Sequence, residues 1–338
     1  MISADFVPSC DAARLLALSN PVLEAQLVYT ALEIDLFTAL GEGKTAVDLA
    51  NHLHLNTRNT ELLLDALTAC GYLRKQRGRY DCLAEASCFL KKDGELYLGD
   101  QILYWRDMTD LSDLTRLVRE GADLDGVHDR NGSDFFDFRA MGRGAKNAMY
   151  TGRVQRFLAD VCGLFQKEDA FSVLDLGCGS GIFSIEIARC FPRASVTLFD
   201  QPRVIAMTQE NLWEYGVSDR CTAIAGNFVT DDFGGPYDLI IASGIMDFVG
   251  DLSMMAKRLH AATSEGGFLF VSTHGITDDF TGPKPTILGW LSSRLHGLDI
   301  LKTHSEIHAA ILQSGFAERP EGQDPFSLFF TKASSNAC

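Results

Sequence analysis

The sequence lacks the features of several large protein classes. No apolar run approaches the length of a membrane span, and the N-terminus has no basic segment followed by an apolar one. Positive charge is scarce, because 30 Lys and Arg residues stand against 45 Asp and Glu, which gives a formal net charge of −15 at pH 7. A surface that acidic repels nucleic-acid phosphates and anionic lipid headgroups. We therefore expect a cytoplasmic protein that binds neither nucleic acid nor membranes.

The sequence also lacks the patterns of a disulfide framework and of a metal site. Its nine cysteines are scattered, no two form a C-x-x-C pair, and their number is odd. We expect reduced cysteines that serve as small core residues, with Cys178 the one to watch because it lies inside a glycine-rich loop. The histidines and acidic residues show no spacing typical of metal ligands, and we predict no metal.

One stretch has the pattern of a ligand-binding turn. Within residues 172–181, an apolar run with Asp175 near its end is followed by Gly177, Gly179 and Gly181 at alternate positions. Apolar residues with helical spacing follow from 182 to 190. A glycine lets the backbone take a positive φ and lets a ligand lie directly against it. The free N–H groups at the start of the next helix then face that ligand. The pattern predicts a strand, a tight turn and a helix.

The spacing of these glycines indicates which ligand binds. A dinucleotide fingerprint, G-x-G-x-x-G/A, requires a small residue at position 182, where Ile182 stands. The motif D-x-G-x-G-x-G, which begins at Asp175, resembles instead the first motif of class I S-adenosylmethionine (SAM) methyltransferases. A second run, 195–200, ends in Asp200 about 20 residues later, where such folds hold a ribose diol. We predict SAM as the cofactor and S-adenosylhomocysteine as its product.

The chain divides into two predicted domains, 1–167 and 168–338. Three helical patterns near the N-terminus are followed by a hairpin around Gly78, which is a winged-helix arrangement. The helix that would read DNA, 58–70, is mostly apolar and has few basic or amide side chains for that task. We interpret this part as a mostly α-helical packing module for a homodimer. The second part alternates strands and helices, which predicts an α/β fold with a doubly wound parallel sheet.

The chain resembles the small-molecule O-methyltransferases of the hydroxyindole and caffeic acid type over nearly its whole length. The most specific motif is Phe-Asp-x-Pro-x-Val at 199–204. The resemblance implies a homodimer with a winged-helix dimerisation domain and a Rossmann-like SAM domain. The segments that carry it are 31–37, 67–73, 78–80, 175–181, 199–205, 226–228, 265–267, 303–306 and 315–316.

The resemblance also implies a set of cofactor-binding residues. The glycines would lie under the methionine part of SAM, and Asp200 would bind its ribose. Asn227 stands where the family usually has Asp, near the adenine, and an amide can still hydrogen-bond there. Ser243 would lie near the methionine moiety. The full predicted set is Asp175, Gly177, Gly179, Gly181, Asp200, Gln201, Asn227, Phe228 and Ser243.

One departure from the family concerns the catalytic base. The family pattern Leu-His-Asp-Trp supplies a His as general base, whereas positions 246–249 here are Met-Asp-Phe-Val, with Asp247 at the base position. An ordinary Asp, with a pKa of about 3.9, is poorly matched to deprotonating a hydroxyl. Asp247 is then a base tuned by burial, a binding group beside another base such as His296 or His274, or a residue of an enzyme whose acceptor needs no base.

The third reading is slightly favoured, because a thioether sulfur has no proton to lose and a carboxylate would stabilise the sulfonium product. Methylthiohydroxybutyrate, an intermediate of dimethylsulfoniopropionate synthesis, is such an acceptor for enzymes of this broad family. The alternatives are O-methylation of a phenolic or hydroxylated metabolite, a non-catalytic SAM-binding regulator and a winged-helix DNA regulator. The predicted catalytic residues are Asp247 and His296, and the predicted acceptor pocket comprises Trp105, Met149, Tyr150, Arg153, Met246, Asp247 and His296.

Overall fold

The structure is a computed structural model that describes residues 7, 9–124, 136–298, 300–319 and 327–333. The chain forms two compact units, one ending at Leu103 and the other beginning at Tyr104. The boundary near residue 167 that the sequence indicates lies inside the second unit, and it stays a prediction of where the methyltransferase fold begins.

The first unit contains helices on both sides of a β-hairpin in the chain order. Thr45 accepts a hydrogen bond from the Asp48 N–H and Asn56 accepts one from the Asn59 N–H, so each of these side chains caps the helix that follows it. The strands form a small antiparallel sheet in the order β1-β3-β2. The elements are α1 (Ala13–Leu16), α2 (Ser19–Glu33), α3 (Leu36–Leu40), β1 (Lys44–Thr45), α4 (Ala46–Leu53), α5 (Thr57–Ala69), β2 (Leu73–Gln76), β3 (Arg79–Cys82), α6 (Ala84–Phe89) and α7 (Gly99–Met108), which continues into the second unit.

The N-terminal helical segment corrects one expectation. The 21 residues from Ala13 to Glu33 include a window with mean hydropathy 1.2, of which 17% is buried. By length and composition alone this segment could cross a membrane, so the expectation that no run approaches that length is wrong. Core helices of soluble proteins and signal sequences satisfy the same criterion, and the cytoplasmic location stays a prediction.

The second unit is built on a seven-stranded sheet in the order β6-β5-β4-β7-β8-β10-β9. The first five strands in this order pair in parallel, and β10 and β9 are antiparallel. The strands are β4 (Ser172–Leu176), β5 (Ser195–Asp200), β6 (Cys221–Ala225), β7 (Tyr237–Ser243), β8 (Thr263–Ser272), β9 (Phe316–Arg319) and β10 (Ser327–Lys332). This confirms the Rossmann-like α/β fold.

Helices cover both faces of this sheet, as the doubly wound topology requires. Two hydrophobic clusters fill the space beneath them, one including Val173 and Ile185 and the other including Leu174 and Leu259. The helices are α8 (Leu114–Glu120), α9 (Phe138–Ala148), α10 (Arg153–Leu164), α11 (Ile182–Cys190), α12 (Pro202–Glu214), α13 (Leu252–Ala262), α14 (Lys284–Gly289), α15 (Leu291–Leu295) and α16 (His304–Gln313), and a short 3₁₀ helix spans Met246–Phe248.

The strand order also fixes where a ligand can bind. From β4 the chain adds β5 and then β6 on one side, and it returns to place β7 on the other side of β4. Ligands of open α/β sheets bind at such a reversal, at the carboxyl ends of the strands. The turn after β4 and the residues after β5, β7 and β8 therefore meet at one edge of the sheet.

Candidate active site

The glycine turn follows the carboxyl end of β4. Gly177, Gly179 and Gly181 all have positive φ, at 67°, 54° and 75°. A Cβ atom on Gly177 would lie 2.3 Å from Cγ2 of Ile245, whereas one on Gly179 would meet no atom of the described residues within 4 Å. Gly177 is thus required by packing as well as by its φ, and Gly179 borders open space at the ligand-binding edge.

The Asp200 carboxylate connects the ends of β4 and β5. Its Oδ2 accepts the Gly179 N–H at 2.8 Å, and its Oδ1 accepts the Gln201 N–H at 2.7 Å. Burial raises the pKa of Asp200 to about 6, although both N–H donors oppose that shift. Each oxygen keeps acceptor capacity after these bonds, since an ionised carboxylate offers about four lone-pair sites.

Asp175 has a different environment. Its side chain is buried, and its Oδ2 accepts the Ser184 hydroxyl at 2.7 Å. Burial raises the pKa of Asp175 to about 7. These contacts join the end of β4 to α11, so the carboxyl group holds the turn in position.

Arg153, at the first position of α10, reaches the ends of two neighbouring strands. Its Nη2 donates to the Ser243 hydroxyl at 2.9 Å and to the Ser272 hydroxyl at 2.7 Å. Ser243 ends β7, Ser272 ends β8, and the two residues are register partners. A guanidinium is thereby fixed at the carboxyl edge of the sheet, where it can bind an anion.

An aromatic cluster lies in the loops and helices that leave this edge. The Trp290 ring contacts the rings of Trp105, Phe136 and Phe248 edge to face, with centroid separations between 5.6 and 5.8 Å. Phe138 completes it through a contact with Phe248 at 5.8 Å. We use the name aromatic cluster for Trp105, Phe136, Phe138, Phe248 and Trp290.

A carboxylate–imidazole pair borders the aromatic cluster. Asp247 is fully buried in the 3₁₀ helix after β7, and its Oδ2 lies 2.8 Å from Nδ1 of His274 in the loop after β8. Its Oδ1 accepts the Lys302 N–H at 3.2 Å. The sequence indicates His274 as one alternative base but gives no signal of this pairing, which the neighbouring positions of β7 and β8 bring about.

The chain is similar in sequence to known methyltransferases. The sequence pattern of a methyltransferase domain family matches residues 147–316, half of the chain. The chain belongs to this family. It is 27% identical to acetylserotonin O-methyltransferase of Mus musculus over 92% of this chain and 86% of that protein. It is 28% identical to 3-hydroxy-5-methyl-1-naphthoate 3-O-methyltransferase of Streptomyces sahachiroi over 79% of this chain and 78% of that protein.

The fold comparison agrees with the sequence comparison. The crystal structure of human N-acetylserotonin methyltransferase in complex with SAM superimposes with a TM-score of 0.78 and 20% identity, over 97% of this chain and 100% of that one. The predicted family, the predicted enzyme class and the predicted cofactor are confirmed. The chain is a SAM-dependent methyltransferase of the class that acts on small molecules.

The remaining predicted cofactor residues of this methyltransferase lie in loops at the same edge. Asn227 follows β6, and its Oδ1 accepts the Val229 N–H at 2.9 Å, which stabilises the local turn. The Phe228 ring approaches the glycine turn, since its Cε1 would lie 3.9 Å from a Cβ on Gly177. Gln201 begins the turn into α12. Their contacts with SAM stay predictions.

Four residues of the predicted acceptor pocket and catalytic set have other partners. The Tyr150 hydroxyl donates to Glu186 at 2.7 Å, and both Tyr150 and Met149 pack against the hydrophobic core. Met246 is fully buried within the second hydrophobic cluster. Nδ1 of His296 lies 2.8 Å from the Ser292 carbonyl oxygen, at the end of α15. Their roles in catalysis and acceptor binding stay predictions.

The spacing of two histidines shows that the expectation of no metal-ligand spacing among the histidines is wrong. His304 and His308 stand four residues apart on α16, with rings 6.2 Å apart and nearly parallel. His304 contacts the Thr273 hydroxyl and His308 contacts Glu318 instead. Among the described residues, no group of three or more His, Cys, Asp and Glu residues could hold a metal ion.

Proposed function

We propose that this methyltransferase binds SAM across the glycine turn and transfers its methyl group to a heteroatom of a small aromatic acceptor that lies against the aromatic cluster. The observation that carries the proposal is the bond between the Asp200 carboxylate and the Gly179 N–H. This bond joins the glycine turn to the end of β5 and forms one rigid cradle. Such a cradle orients a nucleoside before the reaction, and orientation is a large part of catalysis by a methyltransferase.

The ribose would bind to Asp200. Both oxygens of this carboxylate are already aligned by backbone N–H groups, and both can accept a further hydrogen bond from a ribose hydroxyl. Hydrogen bonds to an ionised acceptor are about twice as strong as neutral ones. The open space at Gly179 would admit the chain that joins the ribose to the methionine part of SAM.

The amino-acid end of SAM would bind to Arg153. This residue is one of those that the sequence predicts for the acceptor pocket, and its guanidinium is anchored on Ser243 and Ser272 at the ends of β7 and β8. Ser243 is the residue predicted to lie near the methionine moiety. A guanidinium matches the geometry of a carboxylate, and the α-carboxylate of SAM lies at that end of the cofactor.

The acceptor would be largely aromatic and would carry a polar substituent. Edge-to-face contacts of the aromatic cluster favour a planar ring as the guest. The Tyr104 and Ser293 hydroxyls, one beside Trp105 and one a helical turn beyond Trp290, are buried without a hydrogen-bond partner among the described residues. A buried hydroxyl without a partner is costly, so a polar group of the acceptor would supply one.

The relatives favour oxygen as the methylated atom. Acetylserotonin O-methyltransferase and the naphthoate 3-O-methyltransferase are both named for methylation of an oxygen. A thioether acceptor is the alternative from the sequence, and it rested on the absence of a histidine base. A non-catalytic SAM-binding regulator is the third candidate. Measuring S-adenosylhomocysteine formation with panels of phenols and of thioether acids separates the three.

Substituting Arg153 tests the cofactor pose. Arg153→Ala should weaken S-adenosylhomocysteine binding roughly 10- to 100-fold, because a charge-assisted pair contributes about 1.5–3 kcal/mol. Binding of 5′-methylthioadenosine, which lacks the amino-acid end, should be unchanged. Calorimetric titration measures both ligands. Arg189→Ala, which removes an arginine paired with Glu186 in the last turn of α11, is the matched control. Equal losses for both ligands would contradict the assignment.

We also propose a homodimer. Large apolar side chains of the first unit are exposed along α1, α2 and the residues between them, and a second copy of this chain would cover them. The exposed set is Leu15, Leu16, Leu18, Val22 and Leu23. Light scattering of the purified protein should give twice the chain mass of 37.1 kDa. A monomer mass at micromolar concentration would contradict this part of the proposal.

A further inference from the structure

Asp247 and His274 form a pair in which one partner is buried and the other reaches the surface. The carboxylate is fully buried, while the imidazole side chain is 22% exposed. The bond of 2.8 Å joins Asp247 Oδ2 to Nδ1 of the ring. Because the two ring nitrogens lie on different edges of the imidazole, a bond at Nδ1 directs Nε2 away from the buried carboxylate. Among the described residues, Nε2 has no hydrogen-bond partner.

The carboxylate is held in place from its other side. Its Oδ1 accepts the Lys302 N–H at 3.2 Å. The preceding residue, Leu301, has φ of 72° and is buried. A leucine in this left-handed region is strained, and such strain persists only where the surrounding structure fixes it. The backbone at Leu301 therefore presents the Lys302 N–H to Asp247 in a conformation that the chain would not adopt by itself.

The imidazole ring is fixed by aromatic neighbours. Its centroid lies 5.2 Å from the Trp290 ring at an interplanar angle of 86°, and 6.4 Å from the Phe248 ring at 77°. Trp290 and Phe248 belong to the aromatic cluster against which we place the acceptor. His274 also follows Ser272, the end of β8, by two residues, and Ser272 holds the Arg153 guanidinium. The ring thus contacts the proposed acceptor surface, and its residue is two positions from the serine that holds the arginine proposed to bind the methionine end of SAM.

We infer that His274 is the general base of the reaction and that Asp247 is its positioning residue, an assignment that rests on the proposed function. Asp247 accepts the Nδ1–H, which fixes the tautomer that has a lone pair on Nε2. That lone pair takes the proton of the acceptor's O–H group as the oxygen attacks the methyl carbon of SAM. The bond between the methyl carbon and sulfur breaks, and its electron pair stays on sulfur, which becomes the neutral thioether of S-adenosylhomocysteine. The imidazolium then releases the proton to water.

This assignment moves the base from one strand to its neighbour. In the family pattern the base is a histidine that follows the strand corresponding to β7, and here the 3₁₀ helix after β7, Met246–Phe248, contains no histidine. The imidazole comes instead from the loop after β8. A base is useful only for an acceptor that loses a proton, so the pair favours an aromatic hydroxyl compound as the substrate class over a thioether, which has no proton to lose.

The decisive experiment compares acceptors of different acidity. His274→Ala should lower kcat for weakly acidic phenols roughly 100-fold, the lower range for loss of a general base. For nitrophenols that are already ionised at the assay pH, the loss should be less than about 5-fold, because no proton has to be removed. Added imidazole should restore part of the rate with weakly acidic phenols. The affinity for S-adenosylhomocysteine should stay that of the wild type.

Two further variants separate chemistry from structure. Asp247→Asn should lower kcat for weakly acidic phenols roughly 10-fold with little change in KM, since the ring stays in place but its tautomer is no longer fixed by an anion. His308→Ala is the matched control. His308, on α16, makes a 2.8 Å contact with Glu318 on β9 and lies outside the site. It should leave kcat unchanged.

The outcomes are distinguishable. If His274→Ala slows ionised and neutral phenols equally, or if the wild type methylates thioethers and no phenol, the assignment of His274 as base is overturned, while methyl transfer itself stands. If the wild type does not bind S-adenosylhomocysteine at all, the proposed function fails first. Loss of S-adenosylhomocysteine affinity in His274→Ala would show a structural role and would also overturn the assignment.

Discussion

Replacing Asp200 with alanine is expected to weaken S-adenosylhomocysteine binding about a thousandfold without unfolding the protein. The carboxylate would accept two ribose hydroxyls, and the loss of two charge-assisted hydrogen bonds costs about 4 kcal/mol. The substitution also leaves the Gly179 N–H without its acceptor, so the glycine turn loses its connection to β5. Titration calorimetry measures the affinity, and circular dichroism checks the fold.

The free energy of unfolding should change little in this variant, because the substitution also removes the buried negative charge of Asp200. Burial raises the pKa of Asp200 to about 6, well above that of an ordinary aspartate. A folded-state pKa above the unfolded one means that the folded protein binds more protons, so this group contributes least to stability above pH 6 and more as the pH falls towards 4. At pH 8 alanine removes an unfavourable buried charge together with two favourable hydrogen bonds, and the two effects oppose each other.

The same pKa gives a second readout. Wild-type affinity for S-adenosylhomocysteine should fall up to about tenfold from pH 7 to pH 5, as the carboxylate that accepts the ribose hydroxyls becomes protonated. Neither the amino nor the carboxyl group of the ligand titrates in this range. Asp238→Ala is the control, because Asp238 bonds to Ser172 at the opposite edge of the sheet. If Asp200→Ala binds the ligand as tightly as the wild type does, the cofactor does not lie where we place it.

The cofactor cradle could be predicted from the sequence because its signals are local. Alternate glycines after an apolar run specify positive φ at 177, 179 and 181, and a strand that ends in an acid specifies Asp200. Each signal spans fewer than ten residues, and its physical cause is the backbone of those same residues. The helix starts of the first unit are equally local, because Thr45 and Asn56 cap the helices that follow them.

The acceptor side could not be predicted in the same way, because it depends on contacts between distant segments. Asp247 and His274 are 27 residues apart and meet only because β7 and β8 are neighbours in the sheet. The Lys302 N–H that holds the carboxylate comes from a further segment. The sequence therefore leaves several roles open for Asp247 and does not indicate that both of its oxygens have partners within the protein. Periodicity likewise does not distinguish a pocket wall from a core, and the pocket role of Tyr150 and Met149, which pack against the hydrophobic core, stays a prediction.

Alanine substitutions at Gly179 and Gly177 in the glycine turn are expected to have the second large effect, on ligand affinity and on stability respectively. Gly179→Ala should abolish detectable S-adenosylhomocysteine binding, a loss of more than about a thousandfold, because its Cβ would occupy the open space that we assign to the cofactor. The apo protein should lose only about 1–2 kcal/mol of stability, the usual cost of an L-residue in the left-handed region. Gly177→Ala has the same backbone cost, but its Cβ would lie 2.3 Å from Cγ2 of Ile245, so it should destabilise the fold by several kcal/mol more.

A third glycine isolates the backbone cost. Gly216 has φ of 69°, follows α12, and has no described atom within 4 Å of an added Cβ. Gly216→Ala should therefore reproduce the stability loss of Gly179→Ala while keeping full affinity for S-adenosylhomocysteine. Thermal unfolding and calorimetry on the three variants separate conformational strain, steric overlap with Ile245 and overlap with the ligand. Normal affinity in Gly179→Ala would show that the space beside this turn is not where the cofactor lies, and the position of Asp200 relative to the ribose would lose its support with it.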